Sequence, residues 1–180
     1  MNIRGSILFL AGLAAALGAG WAGLPRVLYR SRPQPVDFSH QVHTEKAGAK
    51  CEDCHAFRED GTFAGVPALD KCAGCHAAPM GTTAAEKDFI DRYITPQREP
   101  QWASYARQPE NVFFSHAAHV KAGKVECATC HGDLGTGDRL PLDREDRISG
   151  YSRPVMRMDA CIDCHRQRNR AVGSCLDCHK

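Results

Sequence analysis

Ten cysteines constrain this chain more than any other feature. They form five pairs, Cys51 and Cys54, Cys72 and Cys75, Cys127 and Cys130, Cys161 and Cys164, and Cys175 and Cys178. Each pair is spaced C-x-x-C and is followed at once by histidine: His55, His76, His131, His165 and His179. No cysteine lies outside these pairs. C-x-x-C-H is the attachment signal for haem c. The two thiols add to the vinyl groups of the macrocycle, and the next residue places an imidazole under the iron. One helical turn brings all three groups to the same side. Zinc sites also use paired cysteines, but zinc does not require a histidine after every pair. Disulfide frameworks vary their spacing and have no use for that histidine. Five complete motifs that consume every cysteine therefore predict five covalently attached haem c groups.

So many porphyrins in 180 residues leave little protein per cofactor, and the core is expected to be largely porphyrin. Amphipathic helices and alternating strands are correspondingly hard to trace. Sixteen glycines and ten prolines favour short helices joined by loops. The expected fold class is mostly α and irregular, a haem-packed domain. The formal charge of +2 offers no basic footprint for nucleic acid, and none is expected as a partner. Ten propionates would add about −10 and make the loaded protein acidic.

Residues 1–30 read "MNIRGSILFLAGLAAALGAGWAGLPRVLYR". Arg4 precedes an uncharged run from Gly5 to Pro25, the pattern of a signal peptide or a retained anchor. Ile7 to Leu24 amounts to about 27 Å of helix, near the thickness of a bilayer core. Trp21 and Tyr29 suit the membrane interface. A retained signal anchor is favoured. Haem c is attached outside the bacterial cytoplasmic membrane, so the chain from Pro33 onward is expected in the periplasm, with the anchor in the inner membrane. "SRPQP" (Ser31–Pro35) reads as a short, stiff linker.

The segment "FSHQVHTEKAGAKCEDCH" beginning at Phe38 recurs as "FSHAAHVKAGKVECATCH" beginning at Phe114. His40 matches His116, His43 matches His119, and the spacing from first histidine to first cysteine is identical. This internal repeat divides the chain into an anchor (1–30), a module with two haems (31–85), a connecting segment without haem (86–111) and a module with three haems (112–180). Glu86–Ile94 has the character of a helix. All four histidines outside the C-x-x-C-H motifs occupy matched repeat positions, as expected of sixth ligands to haem iron. Bis-histidine ligation gives low-potential iron suited to electron transfer. Nine histidines cannot supply two ligands to each of five irons, so at least one haem must use another group or stay open. Met80, Met156 and Met158 are candidates, with Lys180 a weaker one.

F-S-H-x-x-H followed by C-x-x-C-H resembles the class III multihaem cytochromes, the cytochrome c3-like group. The resemblance implies two c3-like modules, with His40 serving the haem on Cys51 and Cys54, and His116 the haem on Cys127 and Cys130. His43 and His119 would reach other haems, which the resemblance does not assign. A narrower resemblance rests on "REDGTFAGVPALDKCAGCHAAPMG", "QWASYARQPENVFFSHAAHVKAGKVECATCHG" and "RMDACIDCH…GSCLDCHK". These are similar to the membrane-anchored multihaem cytochrome subunits of menaquinone reductase (Qrc) complexes. The related subunits of alternative complex III share the W-x-x-Y…V-F-F-S-H-x-x-H part. The chain offers one motif fewer than the haems of the Qrc group, and no sixth haem is expected.

The function implied is an electron relay between a soluble periplasmic cytochrome c and the quinone pool. It would work beside iron–sulfur and molybdopterin-family-like subunits and an integral quinone-binding subunit. The catalytic chain would be a partner rather than this subunit, and no catalytic residue is assigned here. Two alternatives stand beside it: a subunit of alternative complex III passing electrons out from quinol, and a stand-alone anchored quinol dehydrogenase of the tetrahaem type.

Overall fold

The computed structural model describes residues 3–63, 65–103, 105–152, 156–170 and 172–179. Lys180, one candidate ligand, lies outside the described residues. Helix α1, Ile3–Leu28, has 26 residues, an 18-residue stretch of mean hydropathy 1.9 and no buried side chain. It exceeds the Ile7–Leu24 stretch and runs about 39 Å at 1.5 Å per residue, long and apolar enough to cross a membrane. Pro25 stands in its last turns, where the missing N–H weakens the ladder. The Arg26 guanidinium donates to the Ala22 carbonyl in the same stretch.

Strand β1, Tyr29–Arg32, follows directly and pairs antiparallel with β2, Asp143–Asp146, Arg30 lying opposite Glu145 and Arg32 opposite Asp143. Arg30 lies 2.9 Å from the Glu145 carboxylate, and Arg32 lies 2.7 Å from Glu145 and 3.1 Å from Asp143. Ser31–Pro35 is thus no free linker. Its first residues are strand, Gln34 exchanges hydrogen bonds of 3.0 and 3.1 Å with the backbone of Ala103, and the Pro35 carbonyl accepts from the Tyr93 hydroxyl at 3.1 Å. The partners lie far away in sequence, and charge complementarity selects them.

The rest is short helices and loops, as expected. Helices α2 (Cys51–Cys54), α3 (Leu69–His76), α4 (Ala84–Phe89), α5 (Cys127–His131) and α6 (Met158–Gln167) are joined by π-helical turns at Val42–Lys46, Ile90–Ile94 and Ala117–Ala122 and by tighter turns at Gly132–Thr136 and Cys175–Asp177. Four of the five C-x-x-C pairs lie on α-helical turns and the fifth on a 3₁₀ turn. Helix α4 begins at Thr83, whose hydroxyl accepts from the Glu86 N–H at 3.2 Å, an N-cap. It continues through Ile94, the helix expected there. The N-terminus of α3 is closed from a distance, the Leu69 N–H donating to both Glu99 carboxylate oxygens at 3.1 Å.

The buried apolar core among the described residues is Leu69, Phe89 and Tyr93, with Val36, Cys72 and Ile94 packed against it. Each buried side chain of this kind contributes about 1.5–3 kcal/mol. Three of them are a thin core for a chain of this length. Phe113, Phe114 and Leu176 remain 58, 43 and 76 % exposed. Protein alone does not cover these surfaces, as expected for a porphyrin-filled core.

Candidate functional site

The two histidine-bearing turns repeat one another atom for atom. Ser39 Oγ accepts from the Val42 N–H at 3.1 Å, and Ser115 Oγ accepts from the Ala118 N–H at 3.2 Å. His43 Nδ1 donates to the Ser39 carbonyl at 2.7 Å, and His119 Nδ1 to the Ser115 carbonyl at 2.8 Å. Phe38 stacks on His43 with centroids 4.3 Å apart, and Phe114 on His119 at 4.7 Å. The same two phenylalanines meet His40 and His116 edge-to-face, at 84° and 88°. The phenylalanine and serine of F-S-H-x-x-H therefore fix the ring planes. A carbonyl acceptor on Nδ1 places the proton there and leaves the Nε2 lone pair for a metal.

Each histidine of these turns faces one histidine of a C-x-x-C-H motif. His40 faces His55 at 6.2 Å between centroids, His43 faces His76 at 6.1 Å, His116 faces His131 at 6.4 Å and His119 faces His165 at 6.0 Å. These rings are too far apart to hydrogen-bond. They stand where two imidazoles on opposite sides of one metal would stand, since metal–nitrogen bonds of about 2.0–2.1 Å put the centroids roughly 6 Å apart. Burial, and after it the facing His55, push the His40 imidazole below its usual range. Burial, then His131, do the same to His116. Both rings are held neutral, the form that binds iron. His179 is the ninth histidine, and all eight others are taken by these pairs.

Further atoms orient the motif histidines, and the sequence did not single them out. His55 Nδ1 donates to the Gly65 carbonyl at 2.7 Å. Gly65 has φ +70°, a conformation that suits glycine. His76 Nδ1 lies 2.9 Å from the Glu86 carboxylate, which also accepts from the Met80 and Gly81 N–H groups at 2.7 and 2.8 Å. Glu86 stands three residues after Thr83, a spacing that reads as a capping box. That pattern signals a helix start and hides the reach back to His76. Phe63, paired across a hairpin with Phe57, lies 6.4 Å from His55 and 4.3 Å from His116.

None of the ten cysteines is paired in a disulfide. Cys51, Cys75, Cys127, Cys130 and Cys175 are exposed, and Cys54, Cys72, Cys161, Cys164 and Cys178 are half-buried. The thiols are therefore not enclosed by protein, as residues of an ordinary core would be. Cys75 differs most plainly from its partner. Cys72 packs against the core of Leu69, Phe89 and Tyr93, whereas Cys75, on the same helix α3, is exposed. The physical reason is the three-residue step, which turns Cys75 about 60° round the helix from Cys72. Protein covers one sulfur of the pair and leaves Cys75 open on the side a macrocycle would cover.

Among the described residues no three His, Cys, Asp or Glu side chains converge as a metal cluster. Met80 and Met158 are 72 and 64 % exposed, and Met156 is half-buried. The donor set thus fits haem c: a thiol pair on one turn, an imidazole beside it, and at four sites a second imidazole opposite.

The comparisons agree. Residues 24–99 match the class III cytochrome c family, and residues 112–180 match the family of cytochrome c7 and related cytochromes c. The chain is 39% identical over 190 residues to "Menaquinone reductase, multiheme cytochrome c subunit" of Nitratidesulfovibrio vulgaris (strain Hildenborough), an alignment covering 98% of this chain and 90% of that relative. The chain belongs to this family of multihaem cytochrome c subunits. As a member it is an electron-transfer protein with covalently bound haem c and c3-like domains.

Proposed function

We propose that this chain carries five haem c groups and relays electrons between a soluble periplasmic cytochrome and the quinone pool, as one subunit of a membrane quinone oxidoreductase. The observation that carries this reading is the set of four facing imidazole pairs. Haem, when bound, supplies one-electron iron chemistry at a site closed on both faces, which suits transfer rather than substrate binding. The cysteine pairs would hold each haem covalently, with the motif histidines as iron ligands, and His40, His43, His116 and His119 would supply the second imidazole at the sites of His55, His76, His131 and His165. The Ser39 and Ser115 carbonyls, the Gly65 carbonyl and the Glu86 carboxylate hold the Nδ1 protons of His43, His119, His55 and His76, so that these four rings present Nε2.

Helix α1 is read as a retained anchor in the inner membrane, with the haem domain in the periplasm. Its emergence into β1, clamped onto β2 by Arg30 and Arg32, supports a fixed orientation of the domain over the bilayer. The partners are an integral quinone-binding subunit and iron–sulfur and molybdopterin-family-like subunits. The relative's identity as a menaquinone reductase subunit supports this assembly, and supports flow toward quinone.

The test is gentle detergent extraction and purification through this chain. Co-purification of large iron–sulfur and polytopic quinone-binding subunits is the expected result. Recovery of the chain alone, haem-loaded and reduced by quinol, would replace this reading with that of an anchored quinol dehydrogenase.

A further inference from the structure

The five attachment sites do not follow sequence order in space. His40 and His43 share one turn and face His55 and His76, so that turn joins the site of Cys51 and Cys54 to the site of Cys72 and Cys75. His116 and His119 share the repeated turn and face His131 and His165, which joins the site of Cys127 and Cys130 to that of Cys161 and Cys164. Phe63, between His55 and His116, joins the two halves. The Lys121 ammonium 4.4 Å over the Phe57 ring strengthens that joint, as does the Gln41 N–H donating to the Gly137 carbonyl at 3.0 Å.

The site of Cys175 and Cys178 attaches at the second half. Phe113 N–H donates to the Cys178 carbonyl at 2.8 Å, and Val112 pairs with His179 across an antiparallel bridge. This strip runs straight into the Phe114–His119 turn. Asp177 closes the attachment turn, accepting from the Gly173 and Ser174 N–H groups at 2.8 and 2.9 Å. The two turns and Phe63 thus join four sites in the order 72/75, 51/54, 127/130, 161/164, and the strip at Val112 and Phe113 attaches 175/178 beside the second turn.

We infer that the site of Cys175, Cys178 and His179 is an end site, attached beside the second turn outside the four joined sites, and holds its iron through a single imidazole, with the opposite face open to an exogenous ligand. The inference rests on the five-haem reading above. It assigns the histidine shortage, which the sequence leaves open, to one site. Eight histidines are committed to four facing pairs, and His179 has no imidazole facing it among the described residues. Met80 is not the missing ligand: its backbone is tied to Glu86 beside His76, at the far end of the four joined sites. An end site with a single imidazole differs from its four neighbours in two ways. It accepts an exogenous nitrogen ligand where bis-histidine sites do not, and its potential lies above theirs.

The test uses the full-length, haem-loaded protein in detergent. The mass of the intact chain counts attached haems, and imidazole titrated into the oxidised protein counts, by optical spectroscopy and electron paramagnetic resonance, those that take up a ligand. The expected result is five haems, of which one responds. In His179→Gly the responding number stays at one, because imidazole enters the same haem from both sides. In His165→Gly it rises to two. No response in the native protein, or two responding haems in His179→Gly, overturns the inference while the five-haem reading stands. A mass of four haems defeats the five-haem reading itself, and with it this assignment. If His179→Gly does not mature, the same count in His40→Gly, His43→Gly, His116→Gly and His119→Gly decides the assignment, because all four rise to two only if the native responder is none of the four paired sites.

Discussion

In the first half of the molecule the Ser39–His43 turn works beside a small protein core. Leu69, Phe89 and Tyr93 are buried around α3 and α4, and the Glu86 carboxylate binds His76. In the second half the Ser115–His119 turn has the same bonds and ring stacking, yet its surroundings are exposed. None of the residues in the Ala117–Ala122 turn, α5 or α6 is buried, and no carboxylate bond to His131 or His165 is seen among the described residues. The ligand-presenting device was kept on duplication while its environment was not. A potential is set by ligand identity together with the hydrogen bonds and polarity behind the ligand. Two halves with the same ligands can thus differ in potential through Glu86 alone.

The largest expected effect tests the equality of the turns. His43→Ala and His119→Ala should each turn one bis-histidine haem into a ligand-accepting one, raising the number that respond to imidazole by one in both variants. An unequal response would show that one turn does not feed its facing site.

Next comes the difference between the halves. Glu86→Gln keeps an acceptor on His76 but removes the charge, so the imidazole becomes less basic and favours oxidised iron less. A spectroelectrochemical titration should show one of the redox steps moving upward and the others unchanged. If every step moves, the effect is not local to His76.

The core of the first half is probed by stability. Phe89→Ala should cost about 3–5 kcal/mol in denaturant unfolding of the loaded protein, and Thr83→Ala about 1 kcal/mol through the lost cap. Equal losses would mean that Phe89 is not supporting α3.

The smallest effect concerns the strap above α1. The hydrogen bond from Arg30, and then the Arg30 and Arg32 charges, hold the Glu145 carboxyl below the usual carboxylate range. A carboxylate depressed on folding adds stability above its ordinary pKa, and that contribution is lost as pH falls through the depressed value. Melting temperatures of the native protein and of Glu145→Gln should therefore differ slightly at neutral pH and converge in acid. The gap should shrink with salt. A gap that persists at low pH would assign the effect to packing.

Much of the site was legible in the chain because its chemistry is local. C-x-x-C-H needs one helical turn, F-S-H-x-x-H needs another, and each carries its thiols, imidazoles and ring supports within a few residues. The apolar run of α1 was equally legible. By itself the sequence determined the cofactor type, the repeated ligand turn, the helix-and-loop class and the shortfall of one histidine. It did not determine which histidine meets which. His43 with His76 and His119 with His165 join residues that no local spacing relates, and Glu86, Gly65 and Phe63 act across loops or between halves. Nor did it separate Cys72, set against the protein core, from the exposed Cys75 three residues on. The strand at Tyr29–Arg32 forms by pairing with Asp143–Asp146 from the far side of the domain, with opposite charges facing across the register. Only the tertiary structure decided those pairings, and with them which sites each repeated turn joins. A facing pair is a distance between separately folded turns, and the chain sets that distance only when the turns pack together.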